Sequence, residues 1–117
     1  WGGRIYARGQ NLRPWFVKQY SDVFKKYDLL LMPTTPLPAV ELPNEGTTRM
    51  ERISMAWCML GNTASYDYTG HPAISLPCGM TSHGLPVGLQ LVANHFCEHT
   101  IYRAASAYEN NTDWKSL

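Results

Sequence analysis

The stretch Asn62–Val92, NTASYDYTGHPAISLPCGMTSHGLPVGLQLV, decides how the rest of the chain is read. It opens as a tight polar-aromatic connection from Asn62 to Gly70. Pro72 turns the residue before it away from helix, and Ala73–Pro77 then reads as a short apolar strand. Gly79 to Gly84 is a loop. Pro86–Ala93 reads as a second strand, with Val87, Leu89 and Leu91 on one face and Gly88, Gln90 and Val92 on the other. A short loop between neighbouring strands favours an antiparallel pair, so a strand pair is expected over residues 73–93.

Upstream, Leu12, Phe16, Tyr20, Val23 and Tyr27 recur at helical spacing, and Trp15 and Phe24 widen the stripe. A helix is predicted over residues 5–27, after a ragged lead-in from Trp1 to Gly9. Pro14 predicts a kink or the true start of that helix. Lys25 and Lys26 would then complement the dipole of its last turn. Asp28-Leu-Leu-Leu-Met32 reads as a strand over residues 28–32, buried on both faces. Pro33, Pro36, Pro38 and Pro43 force a covering loop over residues 33–47. Thr48 with Glu51 three residues on is a capping-box pattern opening a helix over residues 48–61. Ile53, Met55, Ala56, Trp57, Met59 and Leu60 nearly encircle its later turns, which predicts a helix that is buried or lines a pocket. Gly61 and Asn62 stop it.

Downstream, Ile101, Ala104, Ala105 and Tyr108 place a helix over residues 98–109, and the polar tail from Asn110 to Leu117 is expected to fray. The predicted fold class is α/β with a mixed sheet. One buried strand and one strand pair do not close such a sheet. Its completion is expected from residues upstream of Trp1, since the chain begins without Met.

With 117 residues, 44% hydrophobic and 16% charged, the chain is at most one domain, too apolar for disorder. A net charge of +1 gives no reason to expect nucleic acid or an anionic membrane as partner. No run approaches the roughly 18 apolar residues of a membrane span. Cys58, Cys78 and Cys97 are odd in number and widely spaced, so a reducing, cytoplasmic setting is expected rather than a disulfide framework. The triplet Asn110-Asn111-Thr112 is a weak glycosylation-type signal in the opposite direction.

The search for chemistry finds no self-sufficient active site. His95-Phe-Cys-Glu98-His99 has the spacing of a zinc-peptidase motif, but His95 falls at the end of a strand-like run and no third ligand follows. Glu98 is equally suited to a first helical turn. Asp67 near His71 is a candidate pair without a nucleophile set beside it by local sequence. There is no G-x-S-x-G elbow, no S-x-x-K and no phosphate loop. Tyr66 and Tyr68 read as aromatics packing a turn, with a recognition patch as the alternative. Trp57 and Met59 read as core, with a substrate pocket as the alternative.

Three ordered segments carry a family resemblance. Asp28-Leu-Leu-Leu-Met-Pro-Thr-Thr-Pro36 with Ala39 is similar to a segment of the amidase signature family. Asn62-Thr-Ala followed by Thr69-Gly-His-Pro-Ala-Ile-Ser-Leu-Pro-Cys-Gly79 resembles a second. Gly84-Leu-Pro-Val-Gly-Leu-Gln-Leu-Val92, with Phe96 and Glu98, resembles a third, and Gln10-Asn-Leu-Arg13 looks like a further matching piece. The resemblance covers nearly all of residues 1–117 and places them at the C-terminal end of a single amidase domain. It implies an α/β/α sandwich around a mixed sheet, incomplete on its own. It also implies hydrolysis of a carboxylic amide without metal or organic cofactor, by a serine nucleophile, a second serine and a lysine. Those residues and their Gly/Ser-rich loop lie N-terminal to this region in the family, so no catalytic residue is assigned here and the chain alone is expected to be inactive. Met59, Asn62 and Thr63 are the residues expected to line the substrate pocket. The expected partners are a small-molecule amide and the N-terminal part of the same protein, with a homodimer left open. The apolar helix at Trp57, Met59 and Leu60 leans toward a neutral aliphatic or aromatic substrate. A non-catalytic interaction module derived from an amidase is the alternative, and it would present no exposed apolar face.

Overall fold

The computed structural model describes residues 2–116. Trp1 and Leu117, the outer ends of the ragged lead-in and the fraying tail, lie outside the described residues. In chain order the elements are α1 (Gly3–Phe24), β1 (Leu29–Pro33), α2 (Arg49–Trp57), α3 (Ala64–Thr69), β2 (Ala73–Met80), β3 (Pro86–Ala93) and α4 (Glu98–Asn111), with a 3-10 turn at Trp114–Ser116.

The second half of the opening stretch forms the hairpin β2–β3, and β1 returns to pair on the far side of β3, giving the order β1-β3-β2 with every pair antiparallel. Leu29 faces Ala93 and Leu31 faces Leu91 across one ladder, while Ile74 faces Leu91 and Leu76 faces Leu89 across the other. Because side chains alternate, these residues share one face of the sheet. Helix α4 covers that face with Ile101 and Ala105, which join Leu76, Leu91 and Ala93 in the core. Ala104 and Tyr108 pack around them, and the Tyr108 hydroxyl donates to the Pro77 carbonyl at 3.3 Å. A bulge between Pro77 and Gly79 shifts the hairpin register at Cys78.

The opposite face carries Leu30, Met32, Ser75, Gly88, Gln90 and Val92. Val92 is fully buried there. Helix α3 and the end of α1 sit over this side. Phe16, Tyr20 and Phe24, four residues apart, form the used part of the α1 stripe. Phe16 meets Tyr68 edge-on at 5.7 Å, Tyr20 meets Tyr66 at 5.3 Å, and Phe24 stacks on His71 at 5.4 Å. The Tyr68 hydroxyl donates to the Gly9 carbonyl, fastening α3 to α1.

Several sequence expectations change. Helix α1 begins at Gly3 and runs through Pro14, so Pro14 neither starts nor ends it; it stops at Phe24, leaving Lys25 and Lys26 beyond its last turn. The expected polar connection from Asn62 to Gly70 contains the six-residue helix α3, closed by Gly70 in the left-handed region at φ 76°. The capping box of α2 forms on both sides, with the Glu51 amide donating to Thr48 Oγ1 and the Thr48 amide to Glu51 Oε2. The helix is shorter than expected and none of its residues is buried: Met50 is 70% and Trp57 72% exposed. Strand β1 is likewise not buried on both faces, since Leu31 is 66% exposed at an edge with a partner on one side only. The tail is ordered as far as Ser116, where the 3-10 turn packs against β2.

The molecule is a slab of 50 × 46 × 16 Å with a radius of gyration of 17.2 Å, against roughly 13 Å for a compact chain of this length. Its accessible surface is 8766 Å², against roughly 6,400 Å² for a compact monomer of this mass. The excess is rich in apolar side chains on α1, β1 and α2. The all-antiparallel sheet of the described residues is one part of an α/β fold, and the parallel pairs of a mixed sheet are not among its ladders.

Candidate functional site

Gln90 is the pivot of the sheet face opposite α4. It lies between Met32 of β1 and Ser75 of β2 and is 97% buried, its residue exposure being 3%. Its Nε2 donates to the Asn62 carbonyl at 2.9 Å, and Asn62 Nδ2 in turn donates to the Pro33 carbonyl at 2.8 Å. Both acceptors are carbonyls, which cannot donate, so this network fixes which way the Gln90 amide points. Asn62 thereby ties the start of α3 to the end of β1.

One row further along, the Thr34 and Ser75 hydroxyls meet at 2.5 Å across Gly88 of the strand between them. The Thr34 amide donates to the Gly88 carbonyl at 2.8 Å. A Cβ on Gly88 would lie 2.7 Å from Thr34 Oγ1 and 2.9 Å from Ser75 Oγ, so a side chain there would collide with the hydroxyl pair. A glycine inside a strand marks a close approach, and here the approaching groups are polar. These residues floor a cleft of about 430 Å³, whose walls include Thr63, Tyr66, Asp67 and His71.

His71 sits behind this cleft in an aromatic stack. Its ring lies 4.0 Å from that of His95 and is flanked by Phe24 and Tyr20. Thr69 Oγ1 donates its single proton to the Ser65 carbonyl at 2.8 Å, so it can only accept from His71 Nδ1, also at 2.8 Å. The neutral His71 tautomer therefore carries its proton on Nδ1. Its Nε2 is a buried lone pair without a partner among the described residues. Burial, with the neighbouring His95 as a second cause, pushes the His71 pKa down to about 4. His95 Nε2 donates to the Thr69 carbonyl at 2.9 Å, which holds its ring flat against that of His71. Burial, aided by Tyr20, raises the Tyr66 phenol to about 12, and its hydroxyl donates to the Met32 sulfur at 3.3 Å.

The sequence candidates divide accordingly. Thr63 lines the cleft, and Asn62 frames it through its bonds to Gln90 and Pro33. Met59 is half-buried in the turn after α2 and is not among the cleft-lining residues. Asp67 is not the partner of His71, which turns to Thr69 instead. Tyr66 and Tyr68 pack against β1 and α1. The zinc-type motif does not assemble: His95 precedes α4, its Nε2 is committed to Thr69, and no cluster of three metal-ligating side chains occurs among the described residues. No helix of the described residues is long and apolar enough to cross a membrane. Sequence reasoning misses Gln90, Ser75 and Thr34 as site residues; Gly88 in mid-strand is the signal that could have found them.

Comparison with known proteins places this geometry. A family model described as Amidase matches residues 3–102. The chain is 39% identical over 108 residues to an "Uncharacterized protein in nthA 5'region" of Rhodococcus erythropolis, covering 92% of this chain and 54% of that protein. It is 40% identical over 111 residues to a glutamyl-tRNA(Gln) amidotransferase polypeptide of Bacillus pumilus (strain SAFR-032), covering 92% of this chain and 21% of the relative. Among solved structures, 6-aminohexanoate cyclic dimer hydrolase superposes with a TM-score of 0.80 at 29% identity, over 99% of this chain and 26% of the other. The chain thus spans between about a fifth and about half of the length of these relatives.

Proposed function

The chain belongs to the amidase family, and from that premise we propose that the protein carrying it hydrolyses a carboxylic amide to the acid and ammonia or an amine. The observation that carries this reading is the match over residues 3–102. It coincides with the part of the fold that builds the polar cleft. In this reading an activated serine attacks the amide carbonyl and a second serine and a lysine relay the proton, all supplied from sequence N-terminal to these residues. Backbone N–H groups of the same upstream region stabilise the tetrahedral oxyanion. Residues 2–116 supply a wall of the substrate site. Thr63 contacts substrate, Asn62 holds the cleft floor in place, and Met59 with the exposed apolar side of α2 receives the non-polar part of a neutral amide.

The alternative of a free-standing, non-catalytic module requires a covered apolar surface. Leu31, Met50 and Trp57 at 66%, 70% and 72% exposure count against it.

The test is an assay of ammonia release from aliphatic and aromatic amides by the whole protein, beside the 117-residue polypeptide alone. Saturable release by the whole protein and none by the polypeptide is the expected result. Absence of release from every amide by the whole protein would sink the proposal. Thr63→Val is expected to raise KM by about tenfold with little change in kcat, the signature of a lost substrate hydrogen bond.

A further inference from the structure

The cleft floor has an unequal balance of hydrogen-bonding groups. Gln90 Oε1 accepts no hydrogen bond among the described residues, yet it is not sealed away: the one sealed side-chain polar atom without a partner among them is His71 Nε2. Gln90 cannot turn its amide over to relieve this, because Nε2 is held by the Asn62 carbonyl. The acceptor is therefore fixed, on a side chain 97% buried, and reaches solvent through the cleft that Gln90 lines. Beside it stand Thr34 and Ser75. The two hydroxyls carry two protons and their mutual bond uses one, which leaves one O–H to donate. The Asp67 side chain at the wall adds a carboxylate, a further acceptor that repels anions.

A ligand matching this floor offers an N–H to Gln90 Oε1 and a carbonyl oxygen to the spare hydroxyl, and carries no negative charge. We propose that the Gln90–Ser75–Thr34 floor is a recognition subsite for an unsubstituted carboxamide, R–CO–NH₂, which it distinguishes from the tertiary amide and from the carboxylate of the same skeleton. The choice of ligand rests on the amidase reading. The product acid would be rejected by the same groups that accept the substrate, so the subsite also favours product departure.

The experiment is a titration of the whole ¹⁵N-labelled protein with benzamide, N,N-dimethylbenzamide and benzoate, following the side-chain amide resonances of Gln90. Benzamide is expected to move those resonances and to bind about tenfold more tightly than either analogue, the factor of one satisfied hydrogen bond. Equal binding of all three, or shifts confined to α2, would overturn the subsite, as would no shift with any of them. Asp67 is exposed, so Asp67→Asn leaves the fold intact; it is expected to narrow the gap between benzamide and benzoate while preserving that between benzamide and its dimethyl analogue. The two readings fail separately. Selective benzamide binding without hydrolysis of any amide would remove the amidase proposal and keep the subsite. Hydrolysis with no selectivity at Gln90 would do the reverse.

Discussion

At the scale of single residues, the buried imidazole of His71 has the clearest consequence. Its folded pKa of about 4 lies below the ordinary histidine value because burial, then His95, penalise the cation. The folded state therefore binds this proton less readily than the unfolded chain. The contribution of His71 is fully present above about pH 6.5 and is lost as pH falls from there toward about 4. Thermal melts over that range are expected to show a decline that His71→Phe flattens, because phenylalanine keeps the stack with Phe24 and His95 and cannot protonate. An unchanged slope in the variant would assign the acid sensitivity elsewhere. Gly88 gives a second residue-scale prediction. Gly88→Ala puts a methyl 2.7 Å from Thr34 Oγ1 and 2.9 Å from Ser75 Oγ, and is expected to cost about 1–3 kcal/mol in a denaturant titration by overpacking. Stability equal to that of the unsubstituted chain would show that the hydroxyl pair parts freely.

At the scale of elements, sequence and structure agree where a local signal is complete within a few residues. The Thr48–Glu51 capping box forms as read, so Thr48→Ala is expected to cost α2 about 1 kcal/mol, seen as faster amide exchange from Arg49 to Trp57. No acceleration there would mean that α2 is held by something other than its cap. The hairpin over residues 73–93 and the helix starting at Glu98 are legible for the same reason: alternation and a short loop fix the one, and Ile101, Ala104, Ala105 and Tyr108 the other. Helix α3 is not legible. Ala64–Thr69 is too short to show a period and is polar enough to pass for a turn; it is stabilised by Tyr66 and Tyr68 reaching β1 and α1, contacts that only the folded chain creates. The candidate site is half legible. Thr63 and Asn62 emerge through the family segment they belong to, whereas Gln90, Ser75 and Thr34 come from three separate parts of the chain that meet only through sheet pairing.

At the scale of the whole molecule, the expectation of buried strands and helices meets a slab only 16 Å thick. The apolar patterns of β1 and α2 mark surfaces that must be covered. What covers them is not among residues 2–116, so the inference from pattern to burial fails for this chain alone. The 117-residue polypeptide is expected to bind a dye for exposed apolar surface strongly and to sediment as associated species, while the whole protein does neither. A monodisperse, dye-silent polypeptide would show that the slab rearranges to cover its own faces. The strand order β1-β3-β2 has a further bearing, on synthesis. Strand β1 leaves the ribosome first among the three, yet its partner residues in β3 follow roughly 60 positions later, a delay of about 3–12 s at ordinary translation rates. Through that interval an apolar strand with both edges open waits in the cell, so the yield of this protein should depend on how quickly the ribosome reaches Ala93 and on the chaperones attending it.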